Sequence, residues 1–379
     1  MPVIVISAVN IVEGGMLKIL QDCLLAVRNS LPEWRIIAIV NNESVCDTPG
    51  VEKIVMPDAK KSWIRRICTE YITFRKISKR IDADIWWSLH DMTPYVKAGS
   101  QFVYCHNASP FYRFSPSDLL TEPKLIMFKA LYSIFYRINI KANRAVVVQQ
   151  DWLRQEFERR YHVDNVVVAH PVEAQTCHKP LNESKVTNFV YPSLARVFKN
   201  FELIGEAAML LESQDDWNGR ILWTIAPDEN KLTRDLYRRY GHIRSLSFIG
   251  RQDRAAMTQR YREMNCLLFP SRLETWGLPI SETKSMGKPM IVADLPYAHE
   301  TVGTYDRVIF VDPSSPRQLA DAMLQAHRAG WSFSPVQAAP IAAPFADSWP
   351  RLVETIVALH EARSDASLPQ LQSRASVRP

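Results

Sequence analysis

Short apolar runs alternate with longer helix-like segments along the whole chain, and this rhythm constrains the fold more than any other feature. A first series reads "VIVISAV" (3–9), "RIIAIV" (35–40), "DIWWSL" (84–89), "FVYCH" (102–106), "RAVVVQ" (144–149) and "NVVVAH" (165–170). A second reads "NFVYPS" (188–193), "ILWTIA" (221–226), "SLSFIG" (245–250), "CLLFPS" (266–271), "MIVAD" (290–294) and "VIFVDP" (308–313). The runs are continuously apolar rather than alternating, which suits strands buried on both faces. Strand and helix in repeated succession imply parallel sheets covered by helices. Two series predict an α/β protein of two doubly wound, Rossmann-like domains, 1–172 and 173–344, facing a cleft. The boundary lies in "HPVEAQTCHKPLNESKV" (170–186), polar and bearing two prolines. Residues 345–362 read as a helix that returns to the N-terminal domain, and the polar 363–379 as a disordered tail.

Length and composition narrow the class. A chain of 379 residues can bury a large core in two domains. Its six cysteines are scattered without a CxxC pair, which argues against a zinc site or disulfide framework and suits a reducing compartment. The start, "MPVIVISAVNIVEGG", reads as a strand and a glycine turn, without the basic start and cleavage site of a signal peptide. No run reaches the roughly 20 apolar residues of a membrane span. These features predict a cytoplasmic protein.

Open α/β sheets bind ligands at the carboxyl ends of their strands. "SRLETWGLPISETKSMGKPMIVADLP" (271–296) follows one such strand. Pro279 suits a helix start, Gly287 a helix stop, and Glu282 is expected in the first helical turn, with Glu274 in the loop ahead. Gly277 lets a ligand approach the backbone, and the helix N-terminus attracts anions. Carboxylates there can accept hydrogen bonds from hydroxyls. A diphosphate flanked by ribose and a second sugar, the outline of a sugar nucleotide, fits that set. Spacing alone leaves another reading, in which Glu282 complements the helix dipole and Glu274 is a solvated loop charge.

The wording of this stretch resembles the retaining glycosyltransferases of the GT-B fold, family four, also called group 1. Their hallmark is a pair of glutamates eight positions apart around "GFGLP", continuing "EAMACGxPVIASD"; here it stands as Glu274 to Pro279, Glu282, "KSMGKPMIVAD" and "YAHETVG" with Glu300. The resemblance implies a GT-B fold, a donor-sugar contact for Glu274 and a ribose contact for Glu282, with Gly277 and Leu278 beside the donor. It also implies catalytic roles for Arg196 and Lys199 of "YPSLARVFKN", cations that a diphosphate leaving group needs, although Arg196 stands closer to the lysine than the family's arginine does. Gly14 and Gly15 resemble the family's N-terminal glycine pair, which approaches the donor diphosphate. His106 stands where the family has a histidine reaching towards the donor sugar; His90, ending the preceding strand, is a second candidate, and His170 resembles a hinge position. "DAD" (82–84) has the form of a metal motif but precedes its strand, so no metal and no cofactor is expected.

Charge is unevenly placed. Residues 1–172 hold 22 Lys/Arg against 17 Asp/Glu, and the remainder 24 against 23. "KKSWIRRICTEYITFRKISKR" (60–80) has eight basic residues and one acid, and the aromatic-rich 124–144 has no acid. Basic-aromatic segments too polar to span predict contact with an anionic membrane surface, not with nucleic acid; core helices with solvated basic faces are the alternative. Peripheral attachment at the inner face of the cell membrane would suit an acceptor glycan linked to polyprenyl diphosphate. The expected activity is therefore a metal-independent hexosyl- or deoxyhexosyltransferase using a nucleotide-sugar donor, in bacterial surface polysaccharide assembly such as lipopolysaccharide. A sugar-nucleotide 2-epimerase of the same fold and a non-catalytic member of a glycan-assembly complex are the rivals.

Overall fold

The computed structural model describes residues 1–114, 118, 121–171 and 185–364. In the first domain β1 (Val3–Ala8), α1 (Gly14–Ser30), β2 (Arg35–Val40), β3 (Val51–Val55), α2 (Trp63–Cys68), α3 (Phe74–Ile81) and β4 (Ala83–Ser88) come first. They are followed by β5 (Ala98–Cys105), α4 (Pro123–Arg137), β6 (Ala145–Val148), α5 (Asp151–Tyr161) and β7 (Val166–Ala169). All these strands pair in parallel, in the order β7-β6-β5-β4-β1-β2-β3. Adjacent residues face opposite layers: Trp87 packs in the layer of α1, whereas Trp86 packs on Phe74 at 5.3 Å.

The second domain runs β8 (Asn188–Tyr191), α6 (Phe201–Leu211), β9 (Arg220–Trp223), α7 (Lys231–Tyr240), β10 (Leu246–Phe248) and α8 (Arg254–Glu263). It continues with β11 (Cys266–Phe269), α9 (Leu278–Ser285), β12 (Met290–Ala293), α10 (Pro296–Val302), β13 (Val308–Val311) and α11 (Pro316–His327). Its sheet is also parallel, ordered β10-β9-β8-β11-β12-β13.

The chain then crosses back. A two-residue strand β14 (Phe345–Ala346) joins the first sheet beside β7, and α12 (Trp349–Ser364) lies against α1. Leu352, Val353 and Ile356 of α12 are buried with Ile19, Leu20 and Leu24 of α1. Sequence periodicity gave 345–362 as one helix; its first two residues are instead a strand. The cause is the open edge of β7, whose Val168 and His170 N–H groups donate to the Pro344 and Ala346 carbonyls at 3.1 and 2.9 Å. The strand β3 was also missed, because "VEKIV" is an edge strand with two charges and no continuous apolar run. Residues 172–184 of the expected boundary and the expected tail from 365 onward lie outside the described residues.

Each sheet has one point where strand order reverses. In the first it lies between β1 and β4, in the second between β8 and β11. Loops leaving such neighbouring strands splay to opposite faces and open a crevice. The segments that follow β1, β4, β8 and β11 therefore bound the place where a ligand fits.

Candidate active site

Lys199 and Glu274 stand on either side of the reversal in the second sheet. Lys199 ends the 3₁₀ turn Val197–Lys199 after β8, and Glu274 lies in the loop after β11. Their Nζ and Oε1 atoms are 2.5 Å apart, and the side chains are only 16% and 14% exposed. That geometry is a charge-assisted hydrogen bond at the rim of the crevice, shielded yet reachable. The rings of Phe198 and Phe269 lie 5.7 Å from the ammonium. Asn200 follows in the left-handed region at φ 60°, a conformation asparagine tolerates, and its amide donates to the Pro270 and Pro313 carbonyls at 3.2 and 2.8 Å. Arg272 ties the two loops together, donating to the Val197 carbonyl at 2.8 Å. Beneath the pair, burial first and the Glu274 charge second push the Tyr191 and Tyr297 hydroxyls well above the ordinary tyrosine value. Both stay protonated and donate to backbone carbonyls, of Lys199 at 2.6 Å and Ser271 at 2.8 Å.

The helix α9 begins at the mouth of this crevice. Gly277 is its N-cap at φ 88°, in the region that favours glycine. Pro279 lies in the first turn, but Glu282 does not: the helix starts at Leu278, which leaves no acid in that turn and puts Glu282 in the second. Its side chain bonds the Tyr261 hydroxyl of α8, and desolvation there raises the carboxyl's pKa against the opposing effects of Tyr261 and Arg254. The two glutamates thus have separate partners.

From the first domain, Gly15 meets this point closely. A Cβ placed on Gly15 would lie 2.9 Å from Cδ1 of Leu278, so the N-termini of α1 and α9 face each other across the cleft. Neither helix has an acid in its first turn or a side chain capping its N–H groups. Two uncompensated positive dipole ends with Lys199 nearby form an electrostatic setting for a polyanion.

His106 and His90 are both enclosed. His106 follows β5, but its side chain is only 4% exposed, so it is enclosed rather than reaching openly into the cleft. Burial is the main cause that lowers its pKa, partly offset by Asp91. Neither ring nitrogen has a hydrogen-bond partner. His90 is fully buried with Nδ1 3.0 Å from a Glu70 oxygen, though out of line for a hydrogen bond. Arg66 donates to the His90 carbonyl at 2.8 Å and the Tyr132 hydroxyl at 3.2 Å. Composition had counted Arg66 with the basic surface; it belongs to this buried cluster. Sequence reasoning missed Glu70 and Asp91, although Glu70 is the lone acid of 60–80 and Asp91 follows a candidate strand end.

Arg196 is exposed; burial raises the pKa of the Glu122 carboxyl of the first domain, and the Arg196 charge offsets part of that rise. His170 bridges the domains at the hinge, with Nε2 3.2 Å from Glu300 and its ring 4.4 Å from Trp276. Glu300 also accepts the Asp151 N–H at 2.9 Å. A cavity of about 600 Å³ lies at this hinge rather than at the Lys199–Glu274 pair. The "DAD" segment sits at the start of β4, where Asp82 pairs with Lys97 at 3.0 Å and Asp84 accepts the Val3 N–H at 2.7 Å. Among the described residues no His, Cys, Asp or Glu cluster could hold a metal ion, and no helix is long and apolar enough to cross a membrane.

Comparison with known proteins agrees with this architecture. Residues 173–329 match the family model for Glycosyl transferases group 1. No curated protein matches the chain. A glycosyltransferase from Rickettsia africae superposes with a TM-score of 0.60 at 16% identity, over 95% of this chain and 93% of that one. WaaG, a glycosyltransferase involved in lipopolysaccharide biosynthesis, gives 0.61 at 13%, over 96% and 98%. Anabaena HepE in complex with UDP-glucose gives 0.55 at 11%, over 97% and 100%. At such identities the likenesses show the fold, which is the GT-B architecture. The resemblance to group 1 glycosyltransferases holds for the second domain.

Proposed function

We propose, from a second domain of the group 1 glycosyltransferase kind, that this chain transfers a hexose or deoxyhexose from a nucleotide sugar to a glycan acceptor with retention of configuration. The observation that carries this reading is the Lys199–Glu274 pair at the point where the N-termini of α1 and α9 meet. In the proposed complex the donor diphosphate lies between those two helix ends. Lys199 turns from Glu274 to the diphosphate and stabilises the negative charge that grows as the sugar–phosphate bond breaks. Glu274, released, accepts hydrogen bonds from hydroxyls of the transferred sugar. Glu282 holds the ribose and Arg196 adds a second cation from the rim. His106 contacts the sugar from the first domain. The acceptor hydroxyl attacks the face that the diphosphate leaves, and a departing diphosphate oxygen takes its proton. No protein nucleophile takes part, and the two cations supply the charge that a metal supplies elsewhere.

A lipid-linked acceptor fits the outer face of the first domain. There α2 and α4 expose Ile64, Met127, Leu131 and Ile134 beside Lys60, Lys61 and Arg65. Placement in surface polysaccharide assembly draws support from fold neighbours such as WaaB, a lipopolysaccharide outer core galactosyltransferase. The test is to incubate the protein with UDP-, GDP- and dTDP-sugars, with and without lipid-linked acceptor and with EDTA. Transfer that needs acceptor and persists in EDTA supports the reading. Isomerised sugar nucleotide formed without acceptor would make the protein a 2-epimerase. Loss in EDTA with rescue by Mg²⁺ would overturn metal independence.

A further inference from the structure

Asp91 follows β4 at φ 70°, a left-handed conformation uncommon for a residue other than glycine. What holds it there is a set of hydrogen bonds that all end on one oxygen. Oδ1 accepts the His106 N–H at 2.8 Å, the Asn107 N–H at 3.1 Å and the Tyr136 hydroxyl at 2.9 Å. Oδ2 faces the imidazole instead, 3.7 Å from Nε2 of His106. The carboxylate therefore grips the turn that carries His106 by its backbone and sets a negative charge against its ring.

The walls of the site are also charged or polar. Arg66 comes from α2, and Glu70 from the turn Thr69–Thr73, which widens into a π-helix between α2 and α3. π-helical turns inside helices recur at functional sites. His90 follows β4, Tyr104 lies in β5, and Tyr132 and Tyr136 come from α4. Both Glu70 oxygens, both nitrogens of His90 and both of His106 are buried without a hydrogen-bond partner. Such groups call for an explanation beyond folding, because each costs stability in this state.

We infer that Asp91 is a positioning residue for transfer: it fixes the His106 turn and selects the imidazole tautomer with the proton on Nε2. The lone pair then lies on Nδ1, which is enclosed in this state and accepts a hydrogen bond from a sugar hydroxyl only in the proposed donor-bound state. The nitrogen that faces a carboxylate keeps the proton, which is how a neighbouring group sets a histidine tautomer. The gap of 3.7 Å is longer than a hydrogen bond, and such contacts tighten when substrate arrives. This inference rests on the reading above that His106 touches the donor sugar.

The experiment uses Asp91→Asn, His106→Ala and the double variant, all checked by thermal melting. Asparagine keeps an Oδ1 acceptor for the three donors but loses the charge, so the fold survives. Turnover of Asp91→Asn should fall about 10- to 100-fold, with donor KM little changed, the size seen when a group that orients a functional histidine is lost. In the His106→Ala background the same change should cost less than about 2-fold, since the residue then has nothing to position. A second reading does not use activity. ¹⁵N shifts of labelled histidine should show His106 neutral with the proton on Nε2 in the wild type, and a mixed tautomer in Asp91→Asn. Where turnover needs neutral His106, the acid limb of the pH profile should also move to lower pH, because the Asp91 charge raises that histidine's pKa against burial, His90 and Arg66. Equal fold-losses in both backgrounds, or an Nδ1–H tautomer in the wild type, would overturn the positioning role alone. Wild-type turnover by His106→Ala would overturn the site reading, and the positioning role with it.

Discussion

The two domains hold their polar groups in opposite ways. In the second, Lys199 and Glu274 neutralise each other at a rim that solvent can reach, and Glu282 keeps a tyrosine partner one helix away. In the first, Arg66, Glu70, His90, Asp91 and His106 are drawn inside, several with polar atoms that nothing satisfies. Paired rim charges cost little and can exchange partners when a ligand arrives. Enclosed, unsatisfied groups cost stability and hold one geometry. Under the proposed function this difference amounts to a division of labour, in which the second domain would bind and release a charged donor and the first would hold His106 in one geometry.

Lys199→Ala breaks this comparison hardest. If the ammonium serves the leaving diphosphate, turnover at saturating donor should fall on the order of 10²–10³-fold, as when one preorganised electrostatic group is removed. Donor affinity should change less, because the charge it stabilises grows only in the transition state. A variant with near wild-type turnover would reduce Lys199 to a partner of Glu274, and the rim pair to structure.

Lys284 sharpens the comparison, since it is a buried charge in the domain described as open. It stands where the quoted family pattern has methionine, only 7% exposed, and donates to the Thr301 carbonyl at 2.8 Å near the end of α10. Burial brings its pKa down to about 8 from an ordinary value near 10.5. Between those values the unfolded chain binds more protons than the folded one, so stability rises with pH through that window. The two limits differ by about 3 kcal/mol. Denaturant unfolding at pH 7.5 and 10 should show a rise in wild type that is smaller in Lys284→Met. Parallel pH dependences would mean that the lysine is better solvated than its enclosure implies.

Glu282→Ala should weaken donor binding by about 1.5–3 kcal/mol, the loss of one hydrogen bond to a charged group. Turnover of bound donor should change little, since a ribose contact persists through the reaction. Unchanged nucleotide affinity in calorimetry would leave Glu282 a partner of Tyr261 and Arg254 alone among the described residues.

What was legible follows from which interactions are local. Apolar runs marked every strand but β3 and β14, because burial on both faces writes itself into consecutive residues. The strand β3 escaped because its outer positions are charged, and β14 because two residues carry no period. Lys199, Gly277 and Glu274 stand out in the sequence because their loops are short and each carries a local pattern. Asp91 could not, since its partners come from β5 and α4 and meet only when the sheet forms. Arg66 was misread because composition counts charges without saying which side of a helix they occupy. Glu282 slipped by one position, out of the first turn, because Pro279 alone does not fix the helix start.

The smallest expected effect lies on the outer face of the first domain, where that misreading matters. Arg66 is buried against His90 and Tyr132, so it cannot meet a membrane. Lys60, Lys61 and Arg65 remain, but Asp58 lies 2.5 Å from Lys61 and 3.3 Å from Arg65 and offsets part of their charge. Trp63 is half withdrawn as well, its ring stacked 5.6 Å from Phe135, which leaves Ile64, 75% exposed, as the leading apolar contact. Each cation near an anionic surface raises partitioning about fivefold at most, and salt screens it. The triple change of Lys60, Lys61 and Arg65 to serine should therefore weaken flotation with anionic vesicles at low salt by less than three full charges would. Ile64→Ser should weaken it at every salt concentration, because apolar insertion is not screened. Donor binding should survive both changes, since Lys199, Glu274 and Glu282 lie in the other domain. Wild-type protein that ignores anionic vesicles even at low salt would remove the support for a lipid-linked acceptor. A soluble glycan would then fit better, and the first domain's contribution would rest on the enclosed histidine cluster and the N-terminus of α1.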